Sequence, residues 1–266
     1  MSTDASDGQQ PSQPDSLLSL AGVGKRFGGV HALSDITAQM RLGEHVAIVG
    51  DNGAGKSTLV KILSGVIQVD SGRIWLGGTE CHFHDPLAAR NAGVETVFQD
   101  LALVNNLNVA ENMFLGRELF ALRFGALSVL ARQRMTQRTR TLLSSTGVRV
   151  PNIRTPVGSL SGGQRQGVAI ARAAGWGSRL IIMDEPTAAL GVQETHAVEE
   201  IIRGLKKEGT SVILVSHNLR QVFTLVDTIW VLRHGQLAGT RDRRTSTPDE
   251  IVKLITGSNL VGTDYA

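Results

Sequence analysis

One stretch restricts the fold more than any other. Val46, Ala47, Ile48 and Val49 run straight into Gly50, Asp51, Asn52, Gly53, Ala54, Gly55, Lys56, Ser57 and Thr58, and the residues from Lys56 to Leu63 then follow helical spacing. A β-branched run, a glycine-rich turn and a helix in immediate succession are the setting a phosphate-binding loop requires. The glycines let successive N–H groups turn inward around a polyphosphate, which then lies at the positive end of the helix beginning near Gly55. Lys56 would reach the β- and γ-phosphates, Ser57 would offer its hydroxyl to Mg²⁺, and Thr58 would support the same cradle.

The chain has 266 residues, enough for one large domain or two small ones. A hydrophobic share of 41% beside 19% charged residues suits a water-soluble core, and a net charge of +3 is too small to argue for nucleic acid. Cys81 is the single cysteine, so no internal disulfide forms. No apolar stretch approaches bilayer-spanning length, and the N-terminus has neither a basic start nor an apolar core. Any membrane role is therefore expected to come through a partner.

Residues 1–16 are polar and read as a disordered leader, with order expected from Leu17. Ile36, Ala38, Met40 and Leu42 alternate with polar residues as a half-buried strand does. Phe27, on a turn before the nucleotide motif, suits either core packing or stacking on a base. Asp70 to Gly78 and Val94 to Phe98 read as strands, the second ending in Gln99. Cys81, His82 and His84 cluster, but without a distant fourth ligand they read as a surface strand or loop. From 100 to 160 the pattern turns helical, with segments at Val109 to Leu115 and Ala126 to Leu143. The second carries Arg132, Arg134, Arg138 and Arg140, read as a solvated face and secondarily as a contact for a partner protein.

Leu180 to Met183 is continuously apolar and ends in Asp184 and Glu185, which suggests a strand covered on both faces in a parallel sheet. Val192 to Lys207 carries a helical stripe through Val198, Ile201, Ile202 and Leu205. Ser211 to Val215 is strand-like and delivers Ser216 and His217, and Thr228 to Leu232 with Gln236 to Ala238 read as a closing hairpin. Strands that end in polar residues place them on one edge of an α/β sheet, where ligands bind. Asp184 is thus a candidate Mg²⁺ contact and Glu185 a candidate base for the attacking water, against the plainer reading of a helix cap. Ser161 and Gln164 have capping-box spacing, and Gly162 and Gly163 between them expose amides at a helix start, which makes a second anion site. Two half-sites for one polyphosphate invite a head-to-tail dimer in which each loop is closed by the other copy's turn.

The segments Gly50 to Thr58, Gln99, Leu160 to Gln164, Leu180 to Glu185 and His217 together resemble the nucleotide-binding subunit of ATP-binding-cassette transporters. The resemblance covers about residues 17–245. It implies an ATPase of the P-loop NTPase fold, with a mostly parallel RecA-like core sheet, an N-terminal antiparallel β subdomain and an α-helical subdomain inserted at about 100–165. It implies adenine stacking on Phe27, where the family more often has tyrosine, and metal and water contacts from Gln99. Ser161, Gly162, Gly163 and Gln164 would form a signature turn acting in trans, with Glu185 as general base and His217 as γ-phosphate sensor. ATP and Mg²⁺ are the implied cofactors. The implied partners are a second copy, transmembrane permease subunits and, indirectly, a periplasmic solute-binding protein, with no nucleic acid, at the cytoplasmic face of the membrane.

After Leu190 the family usually has an aspartate where this chain has Gly191, so coupling between two sites is expected to be wired differently. The wording around Val94 to Leu103, Asn108 to Glu118 and Glu185 to Val192 is similar to the branch that imports ribose, xylose or fructose. An exporter ATPase and a soluble cassette acting on nucleic acid or ribosomes are the alternatives. Residues 246–266 are set apart as a C-terminal tail.

Overall fold

A computed structural model describes residues 16–124 and 127–257. Its centre is a six-stranded sheet in the order β12 (Gln236–Asp242), β11 (Thr228–Arg233), β3 (His45–Val49), β10 (Ser211–Val215), β9 (Leu180–Asp184) and β6 (Val94–Val97). All neighbours run parallel except β11 and β12, which form the expected hairpin through His234 and Gly235, both at positive φ. Every residue of β3 and β10 is buried, as expected of parallel strands covered on both faces.

The two faces carry two cores. Ile48, Ile182, Ile213, Trp230 and Leu232 pack with helix α1 (Lys56–Leu63) and the N-terminal sheet. Ala47, Met183, Val212, Leu214 and Val231 pack with helices α5 (Gly162–Ala174), α6 (Val192–Lys207) and α7 (Leu219–Leu225). The N-terminal sheet is antiparallel, in the order β2 (Val30–Arg41), β1 (Ser16–Phe27), β4 (Ser71–Leu76) and β5 (Thr79–Glu80). In β2, Ile36, Ala38 and Met40 point inward as their alternation predicts, whereas Leu42 lies past the strand end and is exposed. Helix α2 (Pro86–Ala92) leads into β6; Cys81, His82 and His84 sit on the loop before it.

The insertion between β6 and α5 holds α3 (Val109–Phe114), the antiparallel pair β7 (Phe120–Phe124) and β8 (Leu127–Leu130), and α4 (Arg132–Ser145). The expected helix over 126–143 therefore starts only at Arg132. Phe120 pairs with Leu130 and Leu122 with Val129 in an antiparallel ladder, and tertiary pairing wins over the helical reading of the first residues. Arg132, Arg134, Arg138 and Arg140 are all exposed, and Met135, Thr139 and Leu143 form the buried stripe. Trp176, just beyond α5, clamps the insertion to the body. It meets Phe114 edge-on at 5.2 Å, and the Arg117 and Arg138 guanidinium groups stack over it at 5.0 and 5.1 Å.

Ser16 already belongs to β1, and the rest of the supposed leader, residues 1–15, lies outside the described residues. At the other end the stretch set apart as a tail contains helix α8 (Pro248–Thr256), capped by Thr247 and anchored by the buried Ile251, so the folded body continues past residue 245. Residues 258–266 also lie outside the described residues.

Candidate functional site

Strand register brings the separate motifs to one edge. Val215 pairs with Ile48 on one side and with Asp184 on the other, and Val97 pairs with Met183. The carboxyl ends of β3, β10, β9 and β6 are thus level, and each delivers one motif: the Gly50 loop, His217, Glu185 and Gln99.

Helix α1 starts with no side-chain cap, so its first amides have no side-chain acceptor. Gly55, the residue before it, sits at φ 102°, and a Cβ there would meet Leu33 at 2.6 Å and the Ala32 carbonyl oxygen at 2.8 Å. Only glycine fits. Lys56 bends back over the loop and donates from Nζ to the carbonyl oxygens of Gly50 at 2.7 Å and Asp51 at 2.9 Å. Its charge lies over the cradle. Asp51, Asn52, Gly53 and Ser57 are exposed around it, while Ala54 is buried beneath.

At the end of β9, burial first and the neighbouring Glu185 second push the Asp184 carboxyl above its ordinary value. A half-buried carboxylate raised this way gains from a nearby cation, so Asp184 and the exposed Ser57 hydroxyl suit a hard dication with oxygen ligands. Glu185 itself holds φ 51°, a left-handed conformation that costs a non-glycine residue of order 1 kcal/mol. Its N–H donates to the Val215 carbonyl oxygen at 3.0 Å, which ties the turn to β10. Its Oε1 lies 2.8 Å from His217 Nδ1. A carboxylate only accepts, so this contact puts the imidazole proton on Nδ1. Behind the pair, the buried Gln221 donates to Thr187 Oγ1 at 2.9 Å and accepts from the buried Ser216 hydroxyl at 3.2 Å, bracing the Glu185 and His217 turns together.

Gln99 is exposed after β6, and the loop that follows carries Leu101 and Ala102 at positive φ. Arg172 of α5 holds that loop, donating to the carbonyl oxygens of Ala102 at 2.9 Å and Leu101 at 3.0 Å. Gln99, Asp100, Gly162, Arg165 and Glu185 line one cleft. The Ser161 turn forms the capping box read from its spacing: Ser161 Oγ accepts the Gln164 N–H at 3.4 Å, and Gln164 Oε1 accepts the Ser161 N–H at 3.0 Å. Ser161, Gly163 and Gln164 open on a second cleft, shared with Gln193 and Glu194 of α6. Phe27 is 50% exposed with Lys25 Nζ 5.6 Å above its ring, so it is not a core side chain.

Three side chains at this edge carry no local signal in the sequence. Arg172 meets its partners some seventy residues away, Gln221 its threonine across 34, and Glu194 the Ser161 turn across 31.

The model of the ABC transporter family matches residues 33–188, more than half of the chain. The chain is 42% identical to the xylose/arabinose import ATP-binding protein XylG of Sulfolobus acidocaldarius, covering 92% of this chain and 95% of that one. It is 43% identical to the fructose import ATP-binding protein FrcA of Rhizobium meliloti, covering 91% and 94%. Among solved structures, a bacterial ABC transporter cassette determined as a dimer superposes with a TM-score of 0.70 at 25% identity, over 86% of this chain and all of that one. Its strand order, its glycine-rich loop before α1 and these likenesses agree, and the chain belongs to the ABC transporter family.

Proposed function

We propose that this chain is the ATP-hydrolysing subunit of a monosaccharide importer, working as two copies arranged head to tail on the cytoplasmic face of a membrane, against permease subunits fed by a solute-binding protein. The observation that carries this is the pair of anion-ready helix starts, at α1 and at Ser161 of α5, on one chain. The names of the import relatives supply the class of cargo. No helix among the described residues is long and apolar enough to cross a membrane, in keeping with membrane-spanning partners.

In this reading the Gly50 to Thr58 loop holds the triphosphate, with Lys56 releasing its carbonyl contacts for phosphate oxygens, and Phe27 stacks on the base. Ser57 and Asp184, with Gln99, would hold Mg²⁺, which would supply positive charge beside the phosphates. Glu185 takes the proton of the attacking water as the bond between the γ-phosphorus and the ADP oxygen breaks. His217 exchanges its Glu185 contact for the γ-phosphate, and the opposite copy's Ser161, Gly162, Gly163 and Gln164 close over the same group. Motion of the Gln99 loop, held through Arg172 to the helix carrying that turn, passes closure to the permease.

If each site needs two chains, the initial hydrolysis rate of dilute protein rises with the square of its concentration. A steady-state titration of rate against protein checks this, and a strictly linear dependence down to high dilution would count against paired action.

A further inference from the structure

The donors of the Ser161 turn already hold an anion. Glu194, in the first turn of α6, lays its carboxylate against the turn: Oε1 accepts the Gly163 N–H at 3.2 Å, and a Cβ on Gly162 would stand 3.5 Å from Oε2. Oε2 accepts the Gly191 N–H at 3.3 Å, capping α6 itself. The approach is built into the packing. A Cβ on Gly163 would lie 2.9 Å from the Glu194 Cβ and 3.3 Å from its Cα, so α6 sits as near the turn as a glycine allows. The Gly163 amide first, with the neighbouring Ser161 hydroxyl and the Gly191 amide, holds the Glu194 carboxyl below its ordinary value.

Two anions do not share one amide donor at one helix start. We infer that Glu194 is an internal stand-in for the γ-phosphate of the opposite copy: it occupies the Gly163 amide in the unpaired chain and is displaced when two copies close. This inference rests on the two-copy reading above and adds the step that gates it. The displaced carboxylate has somewhere to go, because Oε2 already caps α6 through Gly191 and Arg165 lies near enough to attract it. The exchange would make pairing depend on the nucleotide. ATP brings the phosphoryl group that replaces the carboxylate, whereas ADP brings none and leaves Glu194 in place.

The test uses the full chain carrying Glu185→Gln, so that bound ATP persists, and reads the ATP concentration that gives half-maximal pairing by size-exclusion light scattering. Adding Glu194→Gln keeps the side-chain length and one acceptor oxygen, replaces the other oxygen by an NH2 that cannot accept an amide N–H, and removes the charge. The expected result is a requirement for ATP lower by roughly five- to ten-fold, since an opposing charge at a helix start has gone, together with measurable pairing in ADP. Glu194→Ala, checked for folding by its thermal midpoint, should shift the requirement the same way. An unchanged or raised requirement in both variants overturns the stand-in role while leaving the two-copy site intact. Absence of pairing in the Glu185→Gln chain at saturating ATP would instead overturn the two-copy reading, and this inference with it.

Discussion

Glu185→Gln should slow ATP turnover by about 10²- to 10⁴-fold while leaving nucleotide affinity within about two-fold of the parent, because a positioned general base contributes on that scale to proton transfer alone. That loss corresponds to roughly 3–5 kcal/mol in the barrier. The substitution is nearly isosteric, and glutamine retains an oxygen to accept the hydrogen bond from His217 Nδ1, now 2.8 Å from the carboxylate. The backbone tie from residue 185 to Val215 and the left-handed φ are untouched, so the turn keeps its shape. What is lost is the ability to accept a proton. Single-turnover hydrolysis beside equilibrium binding of a fluorescent ATP analogue separates the two effects. Turnover within about three-fold of the parent would remove Glu185 from its place as base.

Lys56→Ala should act at the earlier step and weaken ATP binding by at least about 100-fold, or roughly 3 kcal/mol, since a charge-assisted contact to phosphate is lost at a site where the other donors are backbone amides. In the free chain the same ammonium group spans the Gly50 and Asp51 carbonyl oxygens, so the loop also loses two hydrogen bonds. These contacts are partly exposed, and the cost to folding is small beside the cost to binding. Lys56→Arg should not restore the affinity, because a planar fork holds its donors in a fixed plane, whereas the compact ammonium turns three donors towards one point. Isothermal titration with ATP measures both variants. Affinity within about three-fold of the parent in Lys56→Ala would show that the loop's amides suffice and that the lysine is structural.

How much of this was readable in advance follows from how local each signal is. The phosphate-binding loop, the strand before it, the Ser161 capping box and the 192–207 helix are all encoded by neighbours within one or two turns, and each stands where spacing puts it. Continuous hydrophobicity in Leu180 to Met183 announced a strand buried on both faces, and the parallel register then fixed which polar residues meet. The stretch before Arg132 misled because apolar side chains beside an arginine-rich run satisfy a helix as well as a strand, and only the pairing of β8 with β7 decides between them. Helix α8 had a readable start, Thr247 before Pro248 with Asp249 and Glu250 in the first turn, but its reason to fold is a single buried Ile251 docking on distant elements. Phe27 suited two readings until its exposure excluded the core. Glu194 could not be found by spacing at all. Capping its own helix is an ordinary task for a third-position glutamate, and nothing local shows that its other oxygen reaches the Gly163 amide.

The claim at the centre is that the Gly50 to Thr58 loop of one copy and the Ser161 turn of the other enclose one nucleotide. Paired chains that differ in where two lesions lie test it most directly. Lys56→Ala disables the loop, and Gly162→Asp places a negative charge at the first helical position of α5, where its Cβ would stand 3.0 Å from the Leu190 Cδ2 methyl and 3.5 Å from Glu194 Oε2, so the new carboxylate presses on Leu190, pushes Glu194 aside and repels phosphate. With Glu185→Gln in every chain, nucleotide retained by purified mixed dimers is counted. Split between the two chains, the lesions should fall in one composite site and leave about one ATP per dimer; placed together on one chain, they should disable both sites and leave none. The opposite pattern, retention when both lesions share a chain and none when they are split, would mean that each chain closes over its own nucleotide.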